Sequence, residues 1–337
     1  MSAYSIKDFG AHANGARVST AQIQMAIDTC HRNGGGKVVI PEGGIYLCGT
    51  LNLKSGVELH LEKDTLLKAS TQPGDYKDVT LAGEYGGNSG GFLIMAHEAN
   101  NISITGEGAI DGQCEAFMDG WWTEDGKYIR KPKPFRTRII GLIGCRKVAI
   151  KDITIRNSAQ WTCHLTGCED VDIDSVTILN GLDIPNCDGI DPDHCRNVRI
   201  RNCHIESGDD CIVIKTTKEF ADYGPSENIQ ISGCTLISTS SAIKIGSETV
   251  SDIRNVTVED CKIRRSNRGL AIQLRDSGNV ENIIMKSCQV ETRKFHPKYW
   301  GNGEAIYVTA VERHDHGKVG QVNHVTFHDI DFTGENG

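Results

Sequence analysis

No stretch of this chain is apolar for the length of a membrane span, and its first residues, MSAYSIKDFGAHANG, lack the basic and apolar blocks of a secretory signal. These absences argue against a membrane protein. They favour a cytoplasmic location, or a secreted or periplasmic one if a leader has been removed. Positive charge is also short: 36 Lys and Arg stand against 44 Asp and Glu, for a net charge of -8, whereas a nucleic-acid partner asks for a basic face. Aromatic residues are scarce at 6%, while 38% hydrophobic and 24% charged residues give the balance of a globular protein. The thirteen cysteines show neither the dense spacing of a small disulfide scaffold nor a CxxC pair that could begin a zinc site, so buried free thiols are expected. No linker interrupts the chain, which reads as one domain over 1–337 with an N-terminal cap region over about 1–50.

What is present is a repeat. From about residue 145 an apolar pair two residues apart recurs: Val148/Ile150, Val171/Ile173, Val198/Ile200, Ile229/Ile231, Val256/Val258, Ile283/Met285 and Val325/Phe327. A second pair follows each at a constant offset, from Ile153/Ile155 through Cys203/Ile205 to Ile330/Phe332, and successive units are 23, 27, 31, 27, 27 and 42 residues apart. Period-two pairs of this composition are strands with one buried face. A unit of this length, with several short strands and no helical period, predicts an all-β solenoid of the single-stranded parallel β-helix type. Equivalent residues should then stack, with Asn197, Asn228, Asn255 and Asn282 as a ladder at a turn and Cys203, Cys234, Cys261 and Cys288 as a stack inside. The segment STAQIQMAIDTCHRNGGG predicts a short capping helix, with Ser19 or Thr20 as N-cap, a face of Ile23, Ala26, Ile27 and Cys30, and a glycine stop. The strands KVVIP, GVELHLE and NISITG are expected to begin the coils, and DFTGENG is still in the coil pattern where the chain ends.

The chemistry points to carboxylates. Asp188 lies 21 residues before Asp209, which has Asp210 beside it, so a little under one coil should bring all three into one patch. A lone Asp-Asp pair is commonly a solvated turn. Crowded carboxylates raise one another's proton affinity and so supply a usable acid, the arrangement that glycoside hydrolysis needs. Neighbours on a regular strand face opposite sides, so Asp209 and Asp210 can share a groove only where the backbone departs from the ideal, and Gly208 is expected to allow this.

The stretches NCDGIDPDHC (186–195) and SGDDCIVIK (207–215), with the opening IKDFGAHANG and the segment AIDTCHRNGGGKVVIPEG, resemble glycoside hydrolase family 28, the pectin-degrading polygalacturonases and rhamnogalacturonase-like hydrolases. The resemblance extends through GGFLIMAHEANNISITGEGAIDGQ and the Trp121-Trp122 pair. It implies a right-handed parallel β-helix and inverting hydrolysis of an α-linked sugar-acid polymer without metal or other cofactor. Asp209 would be the general acid, and Asp188 and Asp210 would hold and activate water, with the inverting pair about 6.5 to 9.5 Å apart. Asn186, Asp191 and Lys215 fall in the same motifs as substrate-binding candidates. The partner implied is an acidic pectic polysaccharide or oligosaccharide.

Two further motifs of that family are altered. Its Gly-His-Gly should fall in STSSAIKIGSET, where Ser241 stands near the histidine position with Lys244 and Glu248 close by. Its Arg-x-Lys, which grips a galacturonate carboxylate, should fall in NRGLAIQLRDSG, where the register gives Ala271 and Gln273 and leaves Arg268 and Arg275 nearby. Either the sugar beside the cleaved bond is neutral or differently branched, or Lys244, Arg268 or Arg275 supplies the charge from elsewhere, or activity is lost. A β-helix lyase or uronate epimerase, and a carbohydrate-binding solenoid without turnover, are the other readings. Three more features read as structural: KYIRKPKPFRTR as a solvated basic loop, Trp121 and Trp122 as core packing, and His314 and His316 as a polar loop.

Overall fold

The repeated valine and isoleucine pairs stack in the order that the spacing predicts. In the computed structural model, which describes residues 2–77, 90–122, 128–297, 299–313 and 317–335, Val148 pairs with Val171, Val171 with Val198, Val198 with Ile229, Ile229 with Val256, Val256 with Ile283 and Ile283 with Val325. The second row runs in parallel register from Ile155 through Ile178, Ile205, Leu236, Ile263 and Val290 to Phe332. Each repeat is thus one coil, and neighbouring coils bury each other's inward side chains. Most of the interior forms one continuous apolar cluster from Ile6 to Val290.

A coil carries three strands. Two of them, such as Glu169–Asp174 and Thr177–Leu179, follow one another across a bend with a left-handed residue (Ser175, φ 57°) and belong to a 20-stranded sheet. The third belongs to a 9-stranded parallel sheet whose strands are β1 (Leu51–Asn52), β2 (Phe92–His97), β3 (Arg138–Ile143), β4 (Cys163–Thr166), β5 (Ile190–Asp193), β6 (Ile212–Thr216), β7 (Ser241–Thr249), β8 (Arg268–Leu274) and β9 (Glu304–Ala310). The expected asparagine ladder is present. Asn228, Asn255 and Asn282 each donate from Nδ2 to the Oδ1 of the asparagine one coil before, at 3.2, 3.1 and 3.2 Å, and Asn197 donates to Asp170 at 3.0 Å. All four asparagines are left-handed, with φ between 56° and 58°, a conformation that asparagine tolerates better than most residues. All thirteen cysteines are free and buried, including the four of the stack.

The capping helix α1 spans Thr20–Arg32 and buries Ile23, Ala26, Ile27 and Cys30, one helical face, against the first coils. Ser19 is its N-cap residue, but the hydroxyl accepts from the His12 backbone N–H at 2.9 Å instead of capping the helix. The coils begin earlier than the sequence suggests. Ala3–Ser5 pairs in parallel with Gly36–Ile40, and Asn14–Val18 pairs with Ile45–Cys48, because two short segments inside the cap region already satisfy their backbone groups on the sheet. At the other end, Ile306 and Phe332 lie in rows where Leu270 and Val290 are buried one coil before, yet are 40% and 52% exposed.

Candidate active site

The turns that lead into the 9-stranded sheet hold the three aspartates. Asp188 precedes β5 and Asp209 and Asp210 precede β6, and the Gly189 N–H donates to the Asp210 carbonyl at 3.0 Å while Ile190 pairs with Ile212. Asp188 therefore lies beside Asp210, one strand spacing away, with Asp209 one residue further out. The two consecutive aspartates reach one patch because they sit in a turn and not on the strand, and the Asp209 N–H donates to Ser207 Oγ at 3.1 Å to hold that turn. Gly208 is required for a different reason than conformational freedom: a Cβ there would stand 2.3 Å from the Ile184 carbonyl oxygen.

One carboxylate oxygen from each of Asp188, Asp209 and Asp210 lies within 4.8 Å of the others. The closeness is architectural, since Asp188 and Asp210 sit in turns that lead into adjacent strands, about 4.8 Å apart, and Asp209 is the sequence neighbour of Asp210. The residues are only 4%, 8% and 2% exposed. Burial, and then the charge of Asp210, pushes the Asp209 carboxyl up to about 7. Asp188 is raised well above the usual carboxylate range by burial and by Asp209 and Asp191. Asp210 goes the other way. Burial acts against its charge, but the Lys244 ammonium at 2.7 Å outweighs this and holds it below the usual range, helped by Lys215. The Ser241 N–H also donates to Asp210 Oδ1 at 3.0 Å.

Around this cluster, Asn186 donates to Asp209 Oδ2 from its backbone at 3.1 Å and from Nδ2 at 3.5 Å. Lys215 on β6 points at Asp191 at 2.8 Å and Asp188 at 3.6 Å, with its ammonium 3.9 Å above the Trp161 ring. Asp191 and Lys215 are as buried as the aspartates themselves, at 0% and 3% exposure, and Lys215 ties Asp191 to Asp188. On β7, Lys244 is in register with Ala271 on β8, and Gly246 with Gln273. Arg268 pairs with Glu304 at 3.3 Å and lies 4.0 Å over the Tyr307 ring, at the register of Ser241. Gln273 and Arg275 are not brought to the aspartates. Arg275 follows the end of β8, four residues or about 13 Å beyond the Lys244 level, and donates to the Glu312 carbonyl at 3.2 Å.

Several residues escaped sequence reasoning. The basic run proves divided: Arg130 pairs with Glu115 at 2.9 Å, whereas Arg136 and Arg138 are each 1% exposed, so the run is not a solvated loop. Arg136 donates to the carbonyls of Ala159 and Pro185 and, at 3.1 Å, to Asn186 Oδ1. The Tyr299 hydroxyl donates to the Gly208 carbonyl and lies 3.1 Å from Thr239 Oγ1. His164 on β4, buried, is 3.1 Å from Asp193. The Trp pair is not core: Trp121 closes a small antiparallel strand pair, Met118–Trp121 with Arg130–Pro132, and Trp122 is 53% exposed. Lys127, His314 and His316 lie outside the described residues. Beside the aspartates, Tyr128, Leu182, Asp183, Thr239, Phe295 and Tyr299 help to line a cavity of about 320 Å³.

Fold and site together define a right-handed parallel β-helix protein with a buried cluster of three carboxyls of unlike proton affinity. Residues 30–297 match the model of glycosyl hydrolases family 28, and the chain belongs to that family. A probable polygalacturonase of Vitis vinifera is 30% identical over 318 residues, which are 89% of this chain and 62% of that protein. An endo-polygalacturonase of Pectobacterium carotovorum subsp. carotovorum is 28% identical over 80% of this chain and 69% of its own length. The solved structure of a hyperthermoactive exopolygalacturonase from Thermotoga maritima superposes with a TM-score of 0.78 at 25% identity, covering 97% of this chain and 81% of that one. The chain spans less than two thirds of the length of the Vitis vinifera relative.

Proposed function

We propose that the protein is a glycoside hydrolase that cleaves an α-glycosidic bond in a galacturonic-acid-containing pectic polysaccharide or oligosaccharide. The observation that carries this reading is the opposite tuning of two adjacent carboxyls, Asp209 up to about 7 and Asp210 below the usual range. A protonated acid and an ionised base side by side are what the hydrolysis of an acetal requires. Asp209 gives its proton to the glycosidic oxygen as the bond to the anomeric carbon breaks. A water molecule attacks that carbon and loses a proton to Asp210, leaving a free hydroxyl on one product and a hemiacetal on the other. Oxygens no more than 4.8 Å apart can share one water at ordinary hydrogen-bond lengths of about 2.8 Å, so Asp188 and Asp210 can both hold the attacking water.

The reaction needs no cofactor in this reading. Lys244 on Asp210 and Lys215 on Asp188 occupy the neighbourhood that a divalent cation would need, which disfavours a calcium-dependent lyase or epimerase. Recognition of the sugar beside the bond is proposed to rely on a neutral or differently branched unit. Ala271 and Gln273 replace a cationic clamp, while Lys244, Arg268 and Arg275 are engaged with Asp210, Glu304 and the Glu312 carbonyl.

The ionised Asp210 beside a protonated Asp209 also allows one second reading, a retaining route in which Asp210 attacks the sugar directly. Proton magnetic resonance of the first-formed anomer from homogalacturonan and rhamnogalacturonan oligomers separates the two routes. Reducing-sugar release that survives Asp209→Asn unchanged would sink both. An unsaturated product absorbing in the ultraviolet, or loss of activity on chelation, would instead favour the lyase or epimerase.

A further inference from the structure

Arg136 is a buried cation that hydrogen-bonds to the acid's partner, not to the acid, while its charge also acts on Asp209 across space. It precedes β3, three coils before the turn that carries Asp209, and is 1% exposed. A guanidinium out of water is costly unless its donors are used, and three hydrogen bonds pin this one. Nη1 donates to the Ala159 carbonyl at 3.1 Å and the Pro185 carbonyl at 2.8 Å, and Nη2 donates to Asn186 Oδ1 at 3.1 Å.

The third bond decides which way the Asn186 amide faces. An amide can present either its oxygen or its NH₂ to a neighbour, and the two choices have opposite electrostatic effects on a carboxylate. With its oxygen on Arg136, Asn186 turns Nδ2 toward Asp209 Oδ2 at 3.5 Å, beside its own backbone N–H at 3.1 Å. The left-handed backbone of Asn186, φ 56°, lets backbone and side-chain donors converge on the same oxygen. Released from Arg136, the amide could rotate and place its oxygen against the carboxylate.

We propose that Arg136 is a positioning residue for the acid of the proposed reaction: by fixing the Asn186 amide, it sets how readily Asp209 gives up its proton. Donors aimed at a carboxylate favour its charged form, so this relay acts against the burial that favours the protonated one. The other groups facing Asp209 come from several elements. They are Asp188 and the Cys187 thiol from the turn before β5, Asp210 beside it, Lys215 on β6, Lys244 on β7, Tyr299 from the loop before β9, and the charge of Arg136 itself from before β3. The Asn186 amide itself bonds to Arg136 on one side and Asp209 on the other, so the relay can be perturbed while those groups keep their own contacts.

The inference rests on Asp209 being the acid, and its test does not need turnover. Carbon-13 titration of aspartate carboxyls, with the Asp209 signal assigned by its loss in Asp209→Asn, reads the midpoint directly in the whole protein. Arg136→Met and Asn186→Gly should each raise that midpoint by about half to one pH unit. Glycine keeps the backbone donor and suits the left-handed backbone, so this variant also covers the case in which Arg136→Met does not fold. Arg136→Lys keeps the charge without the fork and should recover only part of the shift. Combining Arg136→Met with Asn186→Gly should shift the midpoint by clearly less than the sum of the two single shifts, since both act on one amide and only the direct charge of Arg136 adds to it. An unmoved midpoint accompanied by lower thermal stability would show a purely structural arginine and overturn the proposal. Full additivity would overturn the route through Asn186. A fully active Asp209→Asn enzyme would defeat the assignment of the acid, whatever the titrations show.

Discussion

Lys244 Nζ lies 2.7 Å from Asp210 Oδ2, an ion pair between neighbouring coils in which the carboxylate residue is 2% exposed. At such a depth the pair does more than hold two strands together. It keeps one of two adjacent carboxyls ionised while the other, Asp209, retains its proton to about pH 7. The site is thereby polarised before any substrate arrives.

Replacing Lys244 by Met should therefore move the pH profile of activity toward higher pH, since the ammonium holds down Asp210 most strongly and Asp209 as well. Removing the ammonium raises the proton affinity of Asp210, so the acid limb of the kcat/KM profile moves to higher pH. The maximum rate should fall by about 10²- to 10⁴-fold, the usual contribution of a positioned acid or base. Profiles on a pectic oligosaccharide check both effects, and an acid limb that stays in place contradicts this role for Lys244.

Asp209 should carry a stability cost that appears only when it ionises. Its folded form binds the proton up to about pH 7, against an ordinary value of 3.8, so the folded state holds more protons than the unfolded state between these values. Stability then falls as pH rises through that window. Asp209→Asn removes the titration, and the variant should gain on the order of 1–3 kcal/mol over the native protein at pH 8 and nothing at pH 4. Denaturant unfolding at the two pH values measures the difference.

Lys215 should show the reverse pattern, a single residue whose loss strands its partners. Its contacts at 2.8 Å to Asp191 and 3.6 Å to Asp188 lie deep in the sheet, so Lys215→Met leaves a buried carboxylate without its ammonium. The expected loss is about 3–5 kcal/mol. Adding Asp191→Asn should restore part of it, and a double-mutant cycle on unfolding free energies tests the coupling.

The asparagine ladder gives a prediction free of catalysis. Asn228 is left-handed at φ 58° and bonds to ladder neighbours on both sides. Asn228→Ala loses the hydrogen bonds and places a Cβ-bearing residue without a polar side chain in a strained conformation, at a cost of about 1–2 kcal/mol. Asn228→Gly loses the same bonds without that strain and should melt at a higher temperature than the alanine variant.

Two strands of each coil were legible in the sequence because only one face of them is buried. Val198 and Ile200 are buried while Arg199 between them is exposed, and this alternation shows as period two. The third strand was legible only where an apolar run such as Cys211 to Ile214 marked it, and elsewhere it was hidden for the opposite reason. In β3, β5 and β6 every residue is buried, so the alternation disappears although the strands are as regular as the others. The same covering hid Arg136 and Arg138, which read in sequence as part of a solvated charge run.

Local periodicity and the length of one repeat were enough to specify the coil, its stacking order, the capping helix and the meeting of Asp188 with Asp209 and Asp210. Only the folded chain settled the separation and ionisation of the carboxyls, the pairing of Lys215 with both Asp191 and Asp188, and the position of Arg275 beyond the level of Lys244. Those outcomes depend on burial and on contacts between residues far apart in the chain. A carboxyl's proton affinity is set by the water excluded from it and the charges that packing brings near, and neither is written in the spacing of the residues.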